Sequence, residues 1–232
     1  MTSRLKIKNA LAQRFPSFLK VPLEIHFVYL YHRSSRRAFT QMYRKNGWFL
    51  AESISGSGST LRATEALRAM LSKVLRDLNI HSLLDAGCGD FNWMKEVDLS
   101  EIEYVGIDVV DKMIIEHNIA YYGSANRRFM IADVTQDALP KADLILCRHC
   151  LTHLPNQLSN GHFSSSKVRA RPTTFPELTE NQDTFTGGVR PLNLQLPPFQ
   201  LPAPVMLVED CREETLDVGL LGLWKLDEVS YY

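Results

Sequence analysis

Four short apolar runs, each closing on an acidic or polar residue, dominate the middle of the 232-residue chain: Ser82-Leu-Leu-Asp85, Tyr104-Val-Gly-Ile-Asp108, Phe129-Met-Ile-Ala-Asp133 and Asp143-Leu-Ile-Leu-Cys147. Their apolar residues are continuous rather than alternating, the pattern of strands covered on both faces, which belongs to parallel sheets. Successive run ends lie 14 to 25 residues apart, enough for a crossover helix between parallel strands. The expected fold class is therefore α/β with a mostly parallel sheet. Ligands of such sheets gather beyond the carboxyl ends of the strands, where Asp85, Asp108 and Asp133 all fall.

Gly87 and Gly89 follow the first run directly, and residues without a Cβ at such a turn let the backbone approach a ligand closely. Asp108 ends the next strand 19 residues after Gly89, a position from which a carboxylate accepts hydrogen bonds from ribose hydroxyls. A nicotinamide dinucleotide would call for a third small residue at position 92, where Asn92 stands; the missing close packing beneath a pyrophosphate argues against that cofactor. S-adenosylmethionine carries no phosphate. Its amino-acid moiety and sulfonium suit an acid such as Asp85 at the end of the first strand, and Asp133 is placed to reach an adenine amino group.

Before the first strand, Leu67, Met70, Leu71, Val74, Leu75 and Leu78 have helical spacing. After the fourth, Pro191 to Pro204 is too proline-rich for helix or central strand and is expected to be an extended surface loop, with a lid as one role. The runs Val205–Glu209 and Leu220–Lys225 are joined by too short a link for a crossover helix and are expected to pair antiparallel. Residues 1 to 45 hold ten Lys or Arg and one acid, Glu24, against 16 basic and 25 acidic residues in the remainder. Such a head could meet phosphate groups or a membrane surface, serve as a targeting segment, or dock as a helical extension on its own acidic domain. The apolar stretch Val21–Tyr31 is far shorter than the ~20 residues a bilayer span needs, so no transmembrane segment is expected. Cys88, Cys147, Cys150 and Cys211 lie in or beside strand-like runs, where reduced thiols pack as small hydrophobes; a cytoplasmic location follows as an expectation.

With these residues in view, the chain resembles the class I S-adenosylmethionine-dependent methyltransferases: Leu83-Leu-Asp-Ala-Gly-Cys-Gly89 looks like their first motif, Gly106-Ile-Asp108 the second and Ala132-Asp-Val134 the third. More narrowly, Gly89-Asp-Phe-Asn-Trp-Met94 and Arg190-Pro-Leu-Asn-Leu-Gln-Leu-Pro-Pro-Phe199 resemble a little-described bacterial-type group within that family. Trp48, Glu52-Ser53 and Gly56-Ser-Gly58 look like that group's approach to the fold, covering the cofactor. The resemblance implies a Rossmann-like, doubly wound, seven-stranded sheet with an antiparallel C-terminal strand. The domain would span residues 61–232, preceded by a basic helical extension over 1–60. It implies S-adenosylmethionine as cofactor and transfer of its methyl group to an acceptor that the sequence does not name. Asp85, Gly87, Cys88, Gly89, Trp93, Asp108, Val109, Asp133 and Val134 would bind the cofactor, and Arg148, His149 and His153 would stand nearest the chemistry.

Two stretches depart from the resemblance. In Cys147-Arg-His-Cys-Leu-Thr-His153 an acid is expected at position 149, facing the transferred methyl, and His149 stands there. Between Leu158 and Pro172, where the fold calls for a helix and a fifth buried strand, the sequence has few apolar residues and no strand-like run, as a local reading-frame disruption would produce. The Cys and His spacing in 147–153 is of a kind that zinc uses. Alternation along a strand would split those groups between faces, and no second Cys pair follows, so no metal is expected.

Overall fold

The computed structural model describes residues 34–45, 47, 51–159, 166–174, 178–211 and 218–225. Its strands are β1 (Ser82–Ala86), β2 (Glu103–Asp108), β3 (Arg127–Ile131), β4 (Ala142–Leu146), β5 (Ser166–Thr174), β6 (Met206–Cys211) and β7 (Val218–Lys225). They form one sheet in the order β3-β2-β1-β4-β5-β7-β6. The pairs β1·β2, β2·β3, β1·β4 and β4·β5 are parallel, and β7 runs antiparallel to both β5 and β6. The four apolar runs are thus four of the five parallel strands of a Rossmann-like sheet; β3 lies at its edge, where Met130 and Ile131 are exposed rather than covered as expected, and the two C-terminal runs pair antiparallel as expected.

Alternate side chains divide between two cores. Leu83, Tyr104, Leu144 and Leu146 join one cluster, in which Leu67, Leu71, Val74 and Leu75 of helix α2 (Glu65–Asp77) pack. Leu84, Val105, Ile107 and Ile145 join the other. The α2 residues are those picked out by helical spacing. The helix ends where Asn79 takes a left-handed conformation (φ 49) and the Ile80 amide donates to the Leu75 carbonyl at 2.9 Å, a Schellman-type stop.

The second core corrects the reading of the proline-rich segment as a surface loop. Leu192 and Leu194 are fully buried there beside Trp224, whose indole N–H donates to the Pro202 carbonyl at 2.8 Å. Arg190 is also buried; it donates to the carbonyls of Gln182 (2.6 Å) and Leu154 (2.7 Å) and to Asn156. Prolines remove backbone donors that would otherwise need partners, so this segment plugs the sheet face with side chains while its backbone is tied by Asn181, which donates to the Asn193 carbonyl at 2.8 Å and accepts from the Asn193 amide at 2.8 Å.

A second correction concerns residues 158–172. The backbone from Ser166 to Thr174 forms β5, in parallel register with β4 from Ala142↔Ser166 to Leu146↔Ala170. Pro172, which has no N–H for a ladder, falls inside a register shift between Arg171 and Thr174. Between β4 and β5 the described residues form 3-10 turns at Leu151–His153 and Asn156–Leu158.

Helix α1 (Ser35–Arg44) docks on α3 (Asp111–Ala120) through an Arg36–Asp111 ion pair at 2.9 Å and a Tyr43 hydroxyl donated to Glu116 at 3.2 Å. This part of the basic head meets its own domain. Residues 1–33, including the stretch Val21–Tyr31, and Trp48 lie outside the described residues. No helix among the described residues is long and apolar enough to cross a membrane.

Because Leu194 fills a closed core rather than a solvated loop, Leu194→Ala should lower the free energy of unfolding by about 2–5 kcal/mol. Urea denaturation checks this; a change below about 0.5 kcal/mol, the surface value, would return the segment to the surface.

Candidate active site

The chain must turn sharply at the end of β1, and its glycines make the turn feasible. Gly87 and Gly89 have φ of 87° and 57°, and the Gly87 and Cys88 amides both donate to the Ile107 carbonyl at 2.9 Å. At Gly89 a Cβ would lie 2.4 Å from Ser55 Oγ, so the missing side chain is what admits the 52–59 segment against the turn. Asp90 fastens that segment. Its Oδ2 accepts from the Ser53 hydroxyl (2.8 Å) and the Ile54 amide (2.9 Å), while its own amide donates to Ser55 Oγ (2.9 Å). Asn92 adds bonds from its amide group to Glu52 Oε1 (3.0 Å) and the Ser59 carbonyl (3.1 Å). The residue that counted against a dinucleotide is a staple for the loop over the turn.

Beyond the turn, one cleft opens at the carboxyl ends of the parallel strands. It is lined by the residues named above as cofactor-binding or nearest the chemistry: Asp85, Gly87, Cys88, Gly89, Trp93, Asp108, Val109, Asp133, Val134, Arg148, His149 and His153; Glu52, Ser53 and Gly56 to Gly58 are not among its lining residues. Asp108 is oriented by the amides of Val110 (3.0 Å, to Oδ1) and Gly89 (3.2 Å, to Oδ2). Burial raises its pKa, against the pull of those backbone bonds. Asp85 is buried and accepts the Tyr104 hydroxyl at 2.8 Å. Burial pushes its carboxyl up to about 7; the Tyr104 bond and Arg148 pull it down, and neighbouring Asp108 pushes it further up. Asp133 spends its oxygens locally, accepting from the Thr135 amide (2.9 Å) and hydroxyl (2.7 Å) and from Gln136 (3.2 Å).

The remaining residues divide by role. Cys88 and Trp93 wall the cleft from within the first core, and the Arg148 guanidinium lies 5.5 Å from the Trp93 ring. Arg148 donates to both oxygens of the fully buried Asp210 of β6 (2.6 to 3.1 Å) and to the Gly58 carbonyl (2.6 Å). Its guanidinium holds Asp210 and the loop. His149 has a left-handed backbone (φ 52) and brings Nε2 to 3.2 Å from Asp210 Oδ2. His153 Nδ1 donates to the Gly188 carbonyl at 2.8 Å, which in the neutral ring fixes the proton on Nδ1 and the lone pair on Nε2. Among the described residues no group of three or more His, Cys, Asp or Glu is placed to hold a metal ion.

Several lining residues escape a reading of the sequence. Ser35, Phe39 and Tyr43 come from α1, and Met113 from α3; their place depends on helix docking, which no local pattern announces. His117 Nε2 donates to the Gly89 carbonyl at 2.8 Å from one turn along α3. Asp210 did carry a signal, since it too is an acid at the end of an apolar strand run.

No protein-family model matches the chain, and no curated protein matches it in sequence. Solved structures match its fold. Magnesium protoporphyrin IX methyltransferase from Synechocystis PCC 6803, with bound SAM, superposes with a TM-score of 0.57 at 12% identity, covering 83% of this chain and 97% of that one. The class I methyltransferase fold is the fold of this chain. The Burkholderia thailandensis 1,6-didemethyltoxoflavin-N1-methyltransferase gives 0.54 at 15% identity, covering 82% and 86%. The N-terminal domain of EvdMO1, solved in the presence of SAH and D-fucose, gives 0.51 at 11%, covering 84% and 98%. In this methyltransferase fold the cleft above lies at the ends of β1, β2 and β4, where the strand order reverses from β1.

The raised Asp85 carboxyl has a stability consequence. Between the ordinary carboxylate range near about 4 and about 7, the unfolded chain ionises at this position while the folded chain does not. The stabilisation is therefore complete below that window and is lost as pH rises through it. Asp85→Asn should remove this slope, so its unfolding free energy should gain on the parent's by up to roughly 1.4 kcal/mol per pH unit from pH 4 to 7. Urea titrations across that range test it; a difference that stays constant with pH would contradict a buried, protonatable Asp85.

Proposed function

We propose that the cleft binds S-adenosylmethionine and that the protein is a methyltransferase acting on an acceptor still to be identified. The observation that carries this reading is electrostatic. Asp108 stands close enough to disfavour the charge of the buried Asp85, and both line one cleft beside a glycine turn. A ligand bearing a sulfonium and an ammonium relieves that repulsion, whereas a pyrophosphate would add to it. The donor and acceptor set also fits: Asp108, fixed by two backbone amides, can accept from ribose hydroxyls, Asp133 and Val134 border the adenine end, and Asp85 lies towards the amino-acid end.

When bound, the cofactor supplies an electrophilic methyl carbon. The chain's own residues do the rest. The 52–59 segment, stapled by Asp90 and Asn92, covers the turn, and α1 adds Phe39 and Tyr43 to the cleft lining. His153, with its tautomer set by Gly188, and His149, held by Asp210, are the groups able to take the acceptor's proton. Proximity and desolvation supply most of the acceleration.

A second reading, a cofactor-binding relative without turnover, is favoured by His149 in place of the acid that the resemblance expects. A nicotinamide-dependent oxidoreductase has less support, since Asn92 fills the place of a close-packed small residue. Localisation in the cytoplasm belongs to the same proposal, as does the division into a 1–60 extension and a 61–232 domain.

Calorimetric titration should show micromolar binding of S-adenosylmethionine and S-adenosylhomocysteine and no binding of NAD. Asp108→Ala should weaken the first two by roughly 1–3 kcal/mol. Unchanged affinity in the folded variant would remove Asp108 from the site, and retained binding with no turnover on any acceptor pool would favour the second reading.

A further inference from the structure

The most constrained cluster in the cleft lies away from the strand-end carboxylates. Asp210 is completely buried at the end of β6, and two basic side chains consecutive in sequence converge on it. Arg148 binds both carboxylate oxygens, and His149 presents Nε2 to Oδ2 at 3.2 Å. His149 does this from a left-handed backbone, φ 52, a conformation that costs a non-glycine residue energy and persists only where the surroundings enforce it. The surroundings are specific. A Cβ on Gly58 would come within 2.8 Å of His149 Cε1 and 2.9 Å of Nδ1, so glycine at 58 is what leaves room for the ring. Arg148 holds the Gly58 carbonyl at 2.6 Å and thereby fixes that wall. The His149 side chain is 18% exposed, and it lines the cleft.

We propose that Asp210 is the positioning residue of an acid–base pair with His149, holding the ring by Nε2 and stabilising its protonated form, so that His149 receives the proton displaced from the methyl acceptor. The proposal rests on the methyltransferase reading. In the step, the acceptor atom bonds to the methyl carbon, the carbon–sulfur pair passes to sulfur, and the acceptor's proton moves to His149 Nδ1. Nε2 meanwhile stays beside Asp210 Oδ2, 3.2 Å away. Asp210 itself stays anionic throughout, because Arg148 and His149 hold its pKa far below the ordinary carboxylate range despite burial. Arg148 acts on the pair in two ways: it keeps Asp210 charged, and as a neighbouring cation it opposes protonation of His149. Asp85 of β1, which interacts electrostatically with Arg148, offsets part of that opposition only where it is ionised. The carboxylate in contact with the ring decides the balance.

The test reads the imidazole directly and requires no acceptor. Protein labelled with 13C and 15N at histidine is titrated by NMR, alone and with S-adenosylhomocysteine, and the His149 resonance is assigned by its loss in His149→Gln. His149 should titrate above the ordinary histidine value of about 6.5, and Asp210→Asn should lower its proton affinity at least tenfold. Should Asp210→Asn fail to fold, Gly58→Ala leaves the Arg148–Asp210 pair in place and displaces only the ring, with a fall in the same direction. Asp210→Glu should restore part of the affinity. A folded Asp210→Asn or Gly58→Ala protein with unchanged His149 titration would overturn the pairing. A His149 resonance insensitive to S-adenosylhomocysteine that binds elsewhere in the cleft would overturn its place beside the transferred methyl. If S-adenosylhomocysteine does not bind while the pair titrates as expected, the methyltransferase reading fails and the Asp210–His149 coupling stands.

Discussion

Parallel pairing of β1, β2, β3 and β4 is the constraint from which the rest of the molecule follows. Parallel strands carry their carboxyl ends to one edge, so acids that stand up to 48 positions apart in sequence, Asp85, Asp108 and Asp133, arrive at a single cleft. The same pairing requires both faces to be covered, since each strand has side chains pointing to each face. One face is covered by α2. On the other, the described residues show a different solution: Leu192 and Leu194 inserted from a proline-rich segment, fastened by Arg190, which donates to carbonyls of neighbouring loops, and by Asn181, which donates to the segment's own Asn193 carbonyl. A segment without regular structure can cover a sheet only if its backbone polar groups find partners, and these two side chains supply several of them.

Concentrating carboxylates at one edge has an electrostatic cost, and the local structure shows how it is met. Asp108 is compensated by backbone amides and Asp133 by Thr135 and Gln136, both through bonds made within their own turns. Asp85 has the Tyr104 hydroxyl, a neutral donor, and is the carboxyl driven up to about 7. A site with one poorly compensated acid beside a compensated one is suited to a cationic ligand, because the ligand's charge replaces the proton that Asp85 otherwise retains. Fold and ligand preference thus share one origin in the direction of the strands.

What the sequence made legible were features with a local pattern. Continuous apolar runs announced β1 to β4, helical spacing announced α2, and glycines after a strand announced the turn. β5 carries no such run: Lys167-Val-Arg-Ala-Arg171 alternates with the period of a half-covered strand, and Pro172 argues against a central strand but falls in a register shift. The proline-rich segment differs from its expectation for a related reason. Proline content reports correctly on backbone hydrogen bonding and is silent on whether the leucines between the prolines are buried. The contributions of α1 to the cleft, and of His117 and Asp210 to its supports, depend on tertiary docking. Only Asp210, as another strand-end acid, left a trace in the sequence.

The histidine at position 149 looks like damage when compared with an expected acid, and its surroundings change that judgement. An acid there would place a second carboxyl next to the buried Asp210, with Arg148 as the cation in contact with both. The two carboxylates would repel and would share one cation, which raises the pKa of each relative to Asp210 as it now stands. Imidazole instead adds a second partner to Asp210 and leaves the Arg148 contacts to both oxygens intact. Glycine at 58 leaves room for the ring. A substitution arising from decay has no reason to find its charge complement and its space already in place, whereas one that belongs to a working site requires both. The local chemistry therefore favours a cleft in which His149 has a role over one that has lost an acid.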